Sequence, residues 1–447
     1  MIVTLARAAA PLMLLVCAPA LALAQGSPGR DSLRAQNAEF RPEVIHVASG
    51  VDVAVGYSAS NVVLIQGAYG SIIVDTATDP TAARAIVEAF GSRLRRPVRA
   101  IIYTHSHPDH TGGARVFAGD DRPDIYSHAQ FLKATPDAGR AGREGGDQFG
   151  MSLPPEQFIN AGVQAEFGRT VAPTRDGYLP PTRTFDGDVL SITIAGVRMQ
   201  LLHTPGETPD TIAVWLPDTH VLMPGDNFFR AFPNVSPIRG SRLRNPDAWV
   251  SSLDRVIALA PEFVVPGHTR PVLGAASAGA ALTAYRDGLK SIIDQTVDGI
   301  RKGERPDELV AHVALPPALA SNPFLQEFYG SVEWTVRGIY AEHVGWFDGN
   351  ATKLFPLPEK DRATRLVTLI GGVDRVIERG RAALGAGELT WAAELADYVL
   401  VNDATHVDAR RLKARALTEL AERQVNAIAR NYYLTTAQFL LKGLPPP

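Results

Sequence analysis

Cysteine is almost missing from this chain: one residue, Cys17, among 447. No disulfide can form within one chain. Because Cys17 lies in an apolar N-terminal run, a mature protein that has shed that run has no thiol for metal ligation or nucleophilic attack. Excess basic charge is missing as well. With 44 Lys and Arg against 47 Asp and Glu, the formal net charge is -3. Little is left over to neutralise a phosphate backbone or an anionic membrane, so nucleic acid is not expected as a partner. The N-terminus also lacks a run of membrane-spanning length. Its apolar stretch covers only residues 8–23, short of the ~20 residues that a span requires. That stretch follows Arg7 and ends in Ala22-Leu23-Ala24 before Gln25. A basic start, a short apolar core and an Ala-X-Ala end predict a signal peptide over 1–24 and cleavage after Ala24. They also predict secretion, into a bacterial periplasm, with no stable membrane insertion.

What is present is enough apolar residue, 45% of the chain, to bury more than one core, and the length predicts two or three domains. Residues 25–44 show no periodicity and read as a leader. From about Asn61 to Pro271, short β-branched runs alternate with helical stretches. Strands are predicted at 62–65, 72–74 and 98–103, then at 189–194, 198–202, 211–216, 221–223 and 263–265, with helices over 81–90 and 246–259. Residues 119–186, rich in Gly, Pro, Asp and Arg, read as a long excursion of the kind that forms substrate lids. Beyond Ala275 strand signals stop. Ala392, Leu395, Ala396 and Val399 fall on one helical face, and Leu417, Leu420, Ala421, Val425 and Ile428 continue that spacing. The last residues, 442–447, read as a frayed end.

The chemistry concentrates where the strand 98–103 ends. In His105-Ser106-His107-Pro108-Asp109-His110 four potential ligands fall within six positions, followed by Gly112-Gly113. Two His at i and i+2 in an extended loop point the same way and can share one ion, while Asp109 and His110 turn toward a neighbouring one. Clustered imidazoles repel when protonated and lose solvation when buried, so a metal is the physical reason to gather them.

This His-X-His-X-Asp-His loop after a strand resembles the signature of the metallo-β-lactamase superfamily. The resemblance supplies the other ligands from later turns. His203-Thr204-Pro205-Gly206-Glu207 is similar to the superfamily's Thr-Pro-Gly-His turn with Glu207 in place of His, Pro224-Gly225-Asp226 to the bridging-carboxylate segment, and Pro266-Gly267-His268 to the last His. It implies that His105, His107 and Glu207 hold one ion, that Asp109, His110 and His268 hold the other, and that Asp226 bridges them. Asp75 would orient a ligating His from behind. A donor set of N and O alone favours two Zn2+ per chain, with manganese or iron also able to fit. Water between two such ions would be the nucleophile, which makes the chain a binuclear hydrolase.

Glu207 and the helical third narrow the resemblance to the alkylsulfatase branch, the class III sulfatases. Tyr329-Gly330-Ser331-Val332-Glu333-Trp334 and Gly345-Trp346-Phe347-Asp348-Gly349-Asn350 are similar to the start of the alkylsulfatase dimerisation domain. The fold implied is an α/β metallo-β-lactamase αββα sandwich followed by an all-α domain. Its catalytic domain would cover 45–285, a linker helix and loop 286–322, and the dimerisation domain 323–441, giving a homodimer. The resemblance covers roughly 45–440. It further implies that Asn234 and Arg239, and also Tyr178, contact the sulfate of a small-molecule sulfate ester or related anionic ester. The expected reaction is cleavage of sulfate esters of alkyl alcohols by metal-bound hydroxide.

Two positions depart from the branch. Asp226 stands where the alkylsulfatases carry Glu, and Arg230 and Pro233 occupy a stretch where they carry His, so no general acid is assigned. A β-lactamase or another ester or lactone hydrolase is the alternative enzyme, and a secreted binding or assembly protein that has lost catalysis the alternative class.

Overall fold

The structure, a computed structural model, describes residues 27–133, 146–165, 176–239 and 243–444. The signal peptide expected over 1–24 lies outside them, as do residues 445–447 of the expected frayed end. Among the described residues no helix is long and apolar enough to cross a membrane.

Two twisted sheets form the first part of the chain. The seven-stranded sheet runs in chain order: β1 (Glu43–Ala48), β2 (Val51–Val55), β3 (Val62–Gly67), β4 (Gly70–Val74), β5 (Val98–Ile102), β6 (Asp124–His128) and β7 (Arg183–Phe185). Its first four strands pair antiparallel and β4 to β7 pair parallel. The six-stranded sheet is ordered β13-β12-β11-β10-β9-β8, from β8 (Val189–Ile194), β9 (Val197–His203), β10 (Ile212–Leu216), β11 (Val221–Met223), β12 (Phe263–Val264) and β13 (Val272–Leu273).

Strand alternation builds the layers. On β4, Ile72 and Val74 face the second sheet, where they meet Leu201, Val214 and Met223, while Ile73 points outward. The outward face is covered by the helix Pro80–Phe90, through Ile86 and Phe90, and by Phe117. On β10, Ala213 and Trp215 face outward onto Trp249 and Leu253 of the helix Pro246–Ile257, and onto Leu282, Tyr285 and Leu289 of the helix Ala275–Arg301. The result is the expected αββα sandwich.

Three expectations need correction. The excursion over 119–186 supplies β6 and β7, which extend the first sheet; residues 134–145 and 166–175 lie outside the described set. The segment 25–44 is structured from Pro28 onward. The helix Pro28–Gln36 docks by polar contacts, Arg30 on Glu422 at 2.9 Å and Gln36 on the Gly162 carbonyl at 2.5 Å, which leave no apolar stripe to read. The boundary at 285 falls inside the unbroken helix Ala275–Arg301, whose Leu282, Leu289 and Ile293 share one core with the second sheet.

The rest is helical, from Val332–Val344 through Glu359–Ile370, Val373–Gly385, Leu389–Leu400 and Val407–Arg423 to Ala427–Leu441. Ala392, Leu395, Ala396 and Val399 are buried as their spacing predicts. The next run is not one helix. It stops at Arg423, and Asn426 accepts from the Ala429 N–H at 2.9 Å to cap the last helix, which leaves Val425 exposed.

Candidate metal centre

The His loop is fixed by the end of the neighbouring strand β4. Asp75 ends β4 at φ 57, a left-handed conformation that Asp tolerates better than most side chains. Its Oδ1 accepts from the Thr104 N–H and its Oδ2 from the Thr104 hydroxyl, both at 2.8 Å. Pro108 opens a single helical turn, Pro108–Thr111, which carries Asp109 and His110 inward. That turn lies hard against the end of β4, so a Cβ on Gly112 or Gly113 would strike the carbonyl oxygen of Thr78 or Thr76. The glycine pair is the condition for this approach.

All seven residues that the sequence singled out as ligands come together. His105, His107, Glu207 and Asp226 place one ligating atom each within 4.8 Å of one another, as do Asp109, His110 and His268. Asp226 faces both groups, with Oδ1 3.4 Å from His110 Nε2 and Oδ2 3.0 Å from His268 Nε2 and 3.8 Å from His105 Nε2. Glu207 Oε2 lies 3.3 Å from His107 Nδ1 and 3.6 Å from His105 Nε2. Gly267 must be glycine here, because a Cβ would collide with Asp226 Oδ1.

The imidazoles are oriented from behind. His110 Nδ1 pairs with Asp75 Oδ2 at 2.7 Å and His268 Nδ1 with the Ala59 carbonyl at 2.7 Å, while His105 Nδ1 sits 3.1 Å from the Thr104 hydroxyl. With the outer N–H groups spent, the Nε2 lone pairs of these three rings turn inward. At the centre, His110 Nε2, Glu207 Oε2 and Asp226 Oδ1 are buried without a hydrogen-bond partner. Each such atom costs about 1–3 kcal/mol, and only a shared cation answers imidazole lone pairs and carboxylate oxygens together. The donor set fits divalent metal.

Electrostatics in the metal-free protein divides the rings. Burial pushes His105 down to about 3, and His110 adds to that; burial also takes His107 to about 3, with Arg244 and Arg239 adding their charge. His110 and His268 go the other way. Burial opposes their protonation, but the Asp226 and Asp109 carboxylates outweigh it and raise both. Asp226, penalised by burial, is nonetheless held well below the carboxylate range by His268 and His110.

The expected sulfate contacts come from different parts of the chain. Asn234 and Arg239 lie in the segment after Asp226, with Asn234 Oδ1 and Arg239 Nη1 buried and unpartnered, and the Arg239 guanidinium 6.0 Å from the centre of the Phe149 ring. Tyr178 lies in the apolar layer outside the first sheet, its ring stacked on Tyr103 at 6.2 Å. Asn227 is spent on structure. Its Oδ1 accepts from the Glu207 N–H and its Nδ2 donates to the Thr204 carbonyl, stapling the Glu207 turn to the Asp226 segment. The block at Tyr329 buttresses the same region. Gly330 N–H donates to the Phe232 carbonyl at 3.0 Å, and Tyr329 packs edge-on against Phe229 at 5.8 Å. Sequence reasoning missed Arg244, whose Nη2 lies 2.5 Å from Glu207 Oε1. The signal was indirect: a carboxylate in place of a neutral imidazole calls for a balancing cation.

Comparison with known proteins settles the family. The Metallo-beta-lactamase superfamily model matches residues 55–268, and the Alkyl sulfatase dimerisation model matches 305–443. A linear primary-alkylsulfatase of Pseudomonas sp. (strain ATCC 19151) is 37% identical over 391 residues, covering 84% of this chain and 73% of that protein. The chain belongs to the alkylsulfatase family. An (R)-specific secondary-alkylsulfatase of Pseudomonas sp is 30% identical over 410 residues, and the chain spans 61% of its length. The solved structure of a stereoselective inverting sec-alkylsulfatase, Pisa1 from Pseudomonas sp., superposes with a TM-score of 0.85 at 28% identity, covering 93% of this chain and 68% of that one. This member of the alkylsulfatase family is therefore a metal-dependent hydrolase with a helical domain of the dimerisation type behind its catalytic sandwich.

Proposed function

We propose that this chain hydrolyses sulfate esters of alkyl alcohols at a centre of two zinc ions. His105, His107 and Glu207 would hold one ion, Asp109, His110 and His268 the other, and Asp226 would lie between them. Such a pair supplies Lewis acidity at neutral pH, toward water and toward an ester oxygen alike. The chain's own residues do the rest. Asp75, Thr104 and the Ala59 carbonyl keep the imidazole lone pairs aimed inward, and the buried walls exclude bulk water and so strengthen each charge interaction inside. Arg239 offers a planar set of N–H donors that matches sulfate oxygens, and Asn234 adds an amide. Tyr178, its ring stacked on Tyr103, is the third expected sulfate contact.

The observation that carries the substrate class is a pair of buried polar atoms without a hydrogen-bond partner, Asn234 Oδ1 and Arg239 Nη1, in a chain 37% identical to an alkylsulfatase. A substrate panel tests it. Dodecyl sulfate or a secondary alkyl sulfate should release sulfate, while nitrocefin and a lactone should turn over far more slowly. The reverse ranking contradicts the proposal.

Pairing through the helical third is part of the same reading. Its support is the dimerisation-type match over 305–443 and the exposed apolar side chains of that part of the chain, Trp346, Phe355 and Leu369 among them. We also place the working enzyme outside the cytoplasm, in a bacterial periplasm, on the pattern of residues 1–24. N-terminal sequencing of the mature protein should begin at Gln25; a chain that retains Met1 contradicts it.

A further inference from the structure

Arg244 is deeply buried, its side chain 5% exposed, and one terminal nitrogen is committed to Glu207 Oε1 at 2.5 Å. The other, Nη1, is buried and has no partner. A guanidinium acting only as a counterion would direct its remaining N–H groups to water or to backbone carbonyls, since five donors in a buried site are costly to leave open. The backbone ties Arg244 to the segment of the expected sulfate contacts: its N–H donates at 3.0 Å to the carbonyl of Val235, the residue after Asn234. Arg239 likewise has a buried, unpartnered Nη1. Both guanidiniums bear electrostatically on His107, which at 30% side-chain exposure is the most open imidazole of the centre. Tyr285, on the helix Ala275–Arg301, adds a buried, unpartnered hydroxyl within electrostatic reach of Arg244 and Glu207.

We propose that Arg244 has two tasks: its Nη2 positions Glu207 so that Oε2 faces His105 and His107, and its Nη1 is a second donor, with Arg239, to the oxygens of a bound sulfate group. This inference rests on the sulfate-ester reading above. It explains why a carboxylate is tolerated at position 207. The charge that Glu207 adds to the metal site is balanced by a cation that also serves the substrate.

The test is calorimetric titration of inorganic sulfate into the metal-loaded protein, with metal content measured on the same samples, for wild type, Arg244→Lys, Arg244→Gln and Arg239→Gln. A lysine can still pair with Glu207 but lacks the fork, so Arg244→Lys should keep its metal and bind sulfate about 10- to 100-fold more weakly, the range for one charge-assisted hydrogen bond. Arg244→Gln should weaken sulfate at least as much and lose metal as well. Sulfate affinity within twofold of wild type in Arg244→Lys at native metal content overturns the proposal, and this variant carries the test if Arg244→Gln does not fold. Failure of the sulfate-ester reading is seen separately, as a wild type that releases no sulfate from any ester.

Discussion

His110 Nδ1 and Asp75 Oδ2 lie 2.7 Å apart in a buried pair, and both Asp75 oxygens also receive hydrogen bonds from Thr104. One carboxylate therefore fixes the tautomer of a ligating imidazole and the start of the loop that carries the other ligands. In Asp75→Asn an N–H must face one of these donors. Metal affinity should fall about 10- to 100-fold, the usual cost of losing such a partner. Competition against a chelator of known affinity measures it, and wild-type affinity would show that Asp75 serves only the fold.

Gly267→Ala tests the tightness of the same centre. The added Cβ would collide with Asp226 Oδ1, so the variant should lose about 1–3 kcal/mol of stability and purify with less metal per chain than wild type. Denaturant titration and metal analysis check both. A fully loaded, equally stable variant would mean that Asp226 is not held where the structure has it.

Loading should release protons. In the metal-free protein the Asp226 and Asp109 carboxylates raise His110 and His268, whereas burial keeps His105 and His107 neutral. Ligation needs the Nε2 lone pairs, so loading should expel the protons that these two raised rings carry, and affinity should rise with pH as they lose them. Calorimetry in buffers of different ionisation enthalpy reads the number directly. Heats that do not depend on the buffer would contradict the assignment.

Pairing through the helical third predicts a sharp response at Phe355, which is 95% exposed near exposed Leu354 and Leu357. Phe355→Asp should shift the protein from dimer to monomer in sedimentation, whereas Tyr69→Asp, on the exposed turn between β3 and β4, should not. A dimer that survives Phe355→Asp places the interface elsewhere.

What the sequence disclosed follows from how each element is stabilised. β4 and β10 are buried on both faces and β5 is exposed only at Arg99, so they read as short, largely apolar runs, and the ligands stand in turns near strand ends. Glu207, Asp226 and His268 were legible only through the resemblance of their turns to those of the metallo-β-lactamase superfamily, and Gly267 shows the steric reason for one of the glycines in those turns. β6 and β7 were hidden in a stretch rich in Gly, Pro and Asp: β6 carries polar residues at three of its five positions, and β7 contributes only three residues at the sheet's edge. The helix Pro28–Gln36 was hidden because its docking is polar. Arg244 was out of reach for a different reason: its role depends on a contact with Glu207, 37 positions away along the chain by their numbering, that only the folded protein makes.

The account stands most directly on sulfate release from dodecyl sulfate by the purified, full-length mature chain, assayed as isolated, after chelator, and after chelator followed by zinc. The prediction is release that disappears with the chelator and returns with zinc at about two ions per chain. Release unaffected by complete removal of metal, or no release at full zinc loading, would contradict it.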